Sequence, residues 1–131
     1  MRYLLDASSI YKLAELNQLD FIMDSVTTDL ARYELGNSVL KDCVIHKRLD
    51  AEKAQQLVKF LYGILDDMDK VIVVDCEGTL KTALEFKLSF YDAAYVQYAK
   101  ATNLTLVTED EKLTKKVKEH IKIINAEGLL K

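Results

Sequence analysis

Tyr3-Leu4-Leu5-Asp6-Ala7-Ser8-Ser9-Ile10 is an apolar run that stops at an acid and turns at once into a helical pattern. A short continuous apolar run, with no polar alternation, reads as a strand buried on both faces. Ile10, Leu13, Ala14 and Leu16 then share one helical face, with Ser9 as the expected N-cap. The same grammar returns in Val71-Ile72-Val73-Val74-Asp75 and in Leu104-Thr105-Leu106-Val107-Thr108. Between these runs lie helical patterns. Leu30, Tyr33, Leu35, Val39, Leu40 and Val44 form a second helix that Thr28 or Asp29 would cap. Asp50 opens a third, with Ala54, Leu57, Val58, Leu61, Ile64 and Leu65 at three and four spacing. Leu80 to Phe86, Tyr91 to Ala101 and Leu113 to Val117 give three more, and Ile121 to Ile124 reads as an edge strand. Strands separated by helices require crossover connections, so the fold class expected is α/β, a three-layer α/β/α sandwich with a mainly parallel central sheet.

Composition narrows the function classes. The chain has 131 residues, 21 acids against 18 Lys and Arg, and a net charge of -3, so bulk charge does not draw it to nucleic acid and any such role must come from a site. Cys43 and Cys76 are its two cysteines and form no C-x-x-C pair, which excludes a disulfide framework or a thiolate zinc site and favours a reducing compartment. Asp6 interrupts the first apolar stretch before a signal sequence could form, and no run approaches a membrane span. A cytoplasmic protein with one domain over residues 1–131 is expected.

Ligands of open parallel sheets bind beyond the carboxyl ends of the strands, which directs attention to Asp6 and to Thr108-Glu109-Asp110. Four carboxylates sit among apolar residues: Asp6, Glu34 in Ala31 to Leu40, Asp92 in Ser89 to Val96, and Asp110. Isolated buried carboxylates are costly unless paired, protonated or bound to a cation, and several that converge call for a divalent ion. Oxygen-only ligation selects hard ions such as Mg2+, which suit phosphoryl chemistry. Ser8, Thr108 and Asn37, one turn from Glu34, are the polar residues placed to orient these acids.

Each acid also has a structural reading. Ser89-x-x-Asp92 and Thr108-x-x-Glu111 fit capping boxes, Glu34 beside Arg32 fits a helix surface, and Asp110 fits the first turn of a helix, where Glu109 or Glu111 would share its role. Lys112, Lys115 and Lys116 form a basic stretch that either guides an RNA backbone or is a solvated helix face. Tyr11, Leu16, Leu19, Phe21 and Ile22, like Phe60 and Tyr62, are core or docking surface. His46 and His120 stand in no catalytic or metal-binding motif.

Taken in order, Leu5-Asp6-Ala7-Ser8, Tyr33-Glu34-Leu35-Gly36-Asn37, Tyr91-Asp92-Ala93-Ala94-Tyr95-Val96 and Val107-Thr108-Glu109-Asp110 resemble the PIN-domain ribonucleases, and within them the VapC toxins of toxin–antitoxin pairs. The resemblance implies a metal-dependent endoribonuclease in which Asp6, Glu34, Asp92 and Asp110 hold Mg2+ or Mn2+ and do the catalytic work. It implies RNA as substrate, a VapB-type antitoxin whose tail presents basic residues to the acidic pocket and lies along Tyr11 to Ile22, and a homodimer. Four other readings stay open: a housekeeping RNA-processing nuclease, a catalytically idle PIN module that binds, an aspartyl-phosphate phosphatase and a receiver domain. The phosphatases need a second Asp two residues after the first, where this chain has Ser8, and receiver domains need an acidic pair there.

Overall fold

The structure, a computed structural model, describes residues 2–72 and 74–131. A five-stranded sheet is built from β1 (Tyr3–Leu5), β2 (Val26–Thr28), β3 (Asp69–Val71), β4 (Thr105–Val107) and β5 (Ile123–Ile124), in the order β3-β2-β1-β4-β5. Every pairing is parallel; Leu4 aligns with Val26 on one side and Leu106 on the other. Among the described residues eight helices fill the connections: α1 (Ala7–Glu15), α2 (Leu19–Met23), α3 (Ala31–Val44), α4 (Ala51–Asp67), α5 (Cys76–Phe86), α6 (Phe90–Thr102), α7 (Glu111–Val117) and α8 (Ala126–Leu129).

Strand alternation makes the three layers. Leu5 and Val107 face a core with Ile10, Leu13, Leu35, Leu61 and Leu65, whereas Leu4 and Leu106 face the opposite core with Tyr95, Val96, Leu113 and Val117. The first core lies under α1, α3, α4 and α8, the second under α6 and α7. Continuous apolar strands are thus explained by burial on both faces, as expected.

The structure also corrects the sequence reading. β2 has no counterpart in it, because the strand is three residues long and two of them are threonines. Thr27 is nevertheless wholly buried, its hydroxyl donating to the Leu5 carbonyl at 2.7 Å. The third strand is shifted: β3 ends at Val71, and Ile72 and Val74 are 70% and 89% exposed. It lies at the sheet's edge and, among the described residues, pairs only with β2; Val73 lies outside the described residues. The cap of α1 is Asp6 rather than Ser9, which is buried and donates back to the Asp6 carbonyl. No side chain caps α3 at its N-cap Leu30, although the Thr28 hydroxyl accepts from the Leu30 N–H. On that helix Ala31, Leu35 and Val39 are buried, while Tyr33, Leu40 and Val44 point outward. Asp50 does cap α4, accepting from the Lys53 N–H at 2.8 Å.

These positions separate by stability. Leu61→Ala is expected to cost about 2–5 kcal/mol through the cavity it leaves. Asp50→Ala should cost about 1 kcal/mol through removal of the cap, and Leu40→Ala should stay within about 0.5 kcal/mol. Urea unfolding of the three variants checks the order, and a Leu40→Ala loss near that of Leu61→Ala would contradict the outward orientation of Leu40.

Candidate active site

β1 ends at the sheet's centre, and Asp6 stands where it stops, its backbone N–H still donating to Val107 of β4 at 3.2 Å. The carboxylate is partly buried and crowded with donors. Oδ1 accepts from the Ser8 hydroxyl at 2.7 Å and the Ser9 N–H at 2.9 Å, and Oδ2 accepts from the Thr108 hydroxyl. Burial pushes its pKa up, and these hydrogen bonds oppose the rise without cancelling it. The Ser8 and Thr108 hydroxyls thus grip the two oxygens of Asp6 from opposite sides of the β1–β4 junction.

Glu34 does not lie on a solvated helix face beside Arg32. Arg32 turns away to Asp66 at 2.7 Å, stacked over the Tyr62 ring, while Glu34 turns inward and accepts from the Tyr95 hydroxyl at 2.8 Å. Burial raises the Glu34 pKa first, and the negative charges of Asp6 and Asp92 raise it further. Asp92, in the first turn of α6, is raised by burial and then by Asp110, with Ser89 and Lys116 pulling the other way. The four acids are thus linked electrostatically in the order Asp6, Glu34, Asp92, Asp110. Ser89 caps α6 by accepting from the Asp92 N–H at 3.1 Å.

Asp110 is exposed and caps α7, its Oδ1 accepting from the Leu113 N–H at 3.1 Å. Its neighbour Glu109 is drawn elsewhere, Oε2 accepting from the Ala126 N–H at 2.8 Å. Asn37 is exposed, and the structure gives its side chain no hydrogen bond to Glu34. Lys112, Lys115 and Lys116 are all exposed, and Lys116 alone of the three reaches the Lys87 carbonyl, at 3.0 Å, and adds positive charge near Asp92.

Tyr95 is the residue that sequence reasoning missed. It is 1% exposed, and burial followed by the Glu34 charge keeps its hydroxyl protonated, so it remains a donor to that carboxylate. Its spacing from Asp92, one turn along the same aromatic helix start, was the available signal.

Among the described residues, no three Asp, Glu, His or Cys side chains gather closely enough to hold one ion between them. The donor set is oxygen only and carries unrelieved negative charge, so the residues fit a hard cation held by one or two carboxylates and retained waters, the way Mg2+ binds, rather than an all-protein cage.

No known family profile matches the chain. It is 32% identical over 129 residues to the exonuclease VapC9 of Pyrobaculum aerophilum, covering 94% of this chain and 91% of that protein. A crystal structure of a Pyrobaculum aerophilum protein superposes with a TM-score of 0.82 at 30% identity, covering 99% of this chain and 96% of the other. The VapBC-5 toxin–antitoxin structure from Mycobacterium tuberculosis matches in fold with a TM-score of 0.63 at 16% identity, over 95% of this chain and 96% of that one. A parallel sheet with carboxylates ranged across the ends of β1 and β4, together with a relative at this identity over nearly its whole length, places the chain in the VapC family of toxin–antitoxin nucleases, which carry the PIN-domain fold.

Proposed function

We propose that residues 1–131 form a single metal-dependent endoribonuclease domain, the toxin of a VapBC-type pair. The observation that carries this reading is the set of three carboxylates, Asp6, Glu34 and Asp92, whose pKa values burial raises and of which Glu34 and Asp92 also feel neighbouring charge. Such an arrangement is costly unless a cation relieves it. Mg2+ or Mn2+ would be held by one or two of the carboxylates Asp6, Glu34, Asp92 and Asp110 directly and by the others through retained waters; when bound, such an ion lowers the pKa of its water and polarises a phosphoryl oxygen. The protein's part is orientation. Ser8, Ser9 and Thr108 fix the plane of the Asp6 carboxylate, Tyr95 fixes one oxygen of Glu34 and leaves Oε2 free, and the α7 N-terminus fixes one oxygen of Asp110. Water attack on phosphorus with loss of the 3′-oxygen leaves a 5′-phosphate and a 3′-hydroxyl.

A VapB-type antitoxin would sit in the apolar cleft between α2 and α4, about 700 Å3 in volume, where Leu19, Met23, Phe60 and Ile64 line the wall. Phe60 is 52% exposed and Met23 41%, which supports an occupant there over a purely structural role. A homodimer in the cytoplasm completes the proposal; no helix among the described residues is long and apolar enough to cross a membrane.

Metal binding is read by melting. Mg2+ or Mn2+ should raise the melting temperature by mass action, and Asp6→Asn should lose that response while keeping the α1 cap, since Asn caps as well as Asp. The pH dependence has a definite sign. In the metal-free chain the raised carboxyls bind more protons than in the unfolded state, so their strain on the fold is absent at low pH and grows as pH rises through their titration. The metal response should grow over the same range, because the ligands must be deprotonated. A melting curve indifferent to both ions at every pH would refute the shared site.

For catalysis, Asp6→Asn and Asp92→Asn should each lower RNA cleavage by about a thousand-fold with circular dichroism unchanged, as loss of a metal ligand does. His120→Ala should cut normally. A circular single-stranded RNA separates endonuclease from the exonuclease activity that names VapC9: the proposal expects it to be opened, and resistance of the circle with digestion of its linear form would assign an exonuclease instead.

The partner is tested by co-expression with the product of the reading frame immediately upstream. The two should elute together on size exclusion, and cleavage should be abolished in the complex. Separate elution with cleavage intact would favour the housekeeping nuclease.

A further inference from the structure

Each carboxylate of the site already accepts from a protein donor. Asp6 accepts from Ser8, Ser9 and Thr108, Asp110 from the Leu113 N–H and Asp92 from the Ser89 hydroxyl, and these contacts belong to the starts of α1, α7 and α6. Glu34 differs. Its donor, the Tyr95 hydroxyl at 2.8 Å, caps no helix and comes from the opposite layer, on a ring buried in the core with Leu4, Val26 and Leu106. The Thr28 hydroxyl at the end of β2, also buried and accepting from the Leu30 N–H at 3.2 Å, lies within reach of the same phenol oxygen. A buried tyrosine hydroxyl needs one partner, and Thr28 is placed to be it; a second, charged partner goes beyond what packing requires. A rigid donor thus holds Glu34 Oε1 against the charges of Asp6 and Asp92, and Oε2 is the oxygen left to face an ion.

We propose that Tyr95 is a specificity-determining residue for the metal: by holding Oε1 it confines Glu34 to a single-oxygen contact and so tunes the site to Mg2+ and Mn2+ against Ca2+. The inference rests on the metal-dependent reading above. Ion chemistry carries it. Ca2+ gathers roughly six to eight oxygens and draws on carboxylates that offer both of theirs, whereas Mg2+ takes about six at shorter range and keeps several waters. With Oε1 released, the two-carbon stem of Glu34 lets the carboxylate turn both oxygens to one ion. Asp6 and Asp110 have no such freedom, because their hydrogen bonds to α1 and α7 keep them in place.

The test compares Tyr95→Phe in the full chain with the parent by thermal melting over concentration series of MgCl2, MnCl2 and CaCl2, from which an apparent Kd follows by mass action. Y95F removes one oxygen atom and leaves the ring and every helix cap in place. Kd for Mg2+ and Mn2+ should rise while Kd for Ca2+ does not, so that the ratio of the Ca2+ to the Mg2+ value falls about ten-fold, the size of one hydrogen bond to a charged group. A tyrosine that only packs would change the melting temperature of the ion-free chain and scale all three ions alike. In RNA cleavage with Mg2+, Ca2+ should inhibit Y95F at a concentration about ten-fold below that needed for the parent. Should Y95F fail to fold, T28V should lower the ratio and T28S, which keeps the hydroxyl, should not. An unchanged ratio in Y95F, or in that case equal ratios in the Thr28 pair, with a parent that responds to Mg2+, would overturn the inference and leave the metal-dependent nuclease standing. If no ion shifts the parent, the metal reading falls and this inference falls with it.

Discussion

The hydrogen bond between the Thr108 hydroxyl and the Asp6 carboxylate is the contact on which the site is built. It joins the residues that follow β1 and β4, the two strands paired at the sheet's centre. The same carboxylate caps α1 through the Ser9 N–H, and the same hydroxyl accepts from the Asp110 N–H at 3.1 Å. One pair of side chains therefore sets the start of α1 and the approach to α7 together. Parallel strands impose this economy: all their carboxyl ends emerge on one side, so the groups that close them are brought together whatever their separation in sequence. The cost is a charged group held away from water, met in part by three donors and left otherwise for a cation.

How far this was legible in the sequence depended on whether the deciding force was local. Asp6 stands out because an acid directly after an apolar run has few structural excuses, and Asp50 reads as a cap because the helical period begins right after it. The cap of α1 was misplaced at Ser9 because Asp6 was read only as chemistry, although one carboxylate serves both purposes. β2 was illegible for a different reason. Val26, Thr27 and Thr28 carry no apolar run, and the burial of both threonines is fixed by neighbouring strands through a hydroxyl-to-carbonyl bond that no local pattern encodes. Val71, Ile72 and Val74 failed in the opposite direction, since strong local β-propensity found no second neighbour among the described residues at the sheet's edge.

The acids show the same division. Glu34 looks like a surface residue in its own helix, and its inward orientation follows from Tyr95, 61 residues away, and from Asp66, which draws Arg32 off. Glu109, Asp110 and Glu111 are indistinguishable as neighbours in sequence. Tertiary contacts separate them, because Glu109 is taken by the start of α8 and Asp110 by the start of α7. Asn37 illustrates the limit of helical spacing as an argument: lying one turn from Glu34 on the same helix did not bring it into that residue's hydrogen-bonding set.

The two cores account for why the site spans the sheet rather than sitting in one layer. Leu35 anchors α3 in the core that contains Leu5, and Tyr95 and Val96 anchor α6 in the core that contains Leu4. Glu34 and Asp92 thus belong to helices packed on opposite faces, and the Tyr95 hydroxyl reaching Glu34 crosses from one layer to the other. The separation of the acids is consequently set by the thickness of the sheet and the seating of each helix, not by flexible loops. Close-packed interiors shift little under load, so carboxylates placed this way keep their spacing even when mutual repulsion would drive them apart. Burial raises the proton affinity of Glu34 and Asp92 first, and repulsion that cannot relax by movement raises it further. A cation that enters such a site binds to charge already held in place, and the ordering cost was met when the two cores folded.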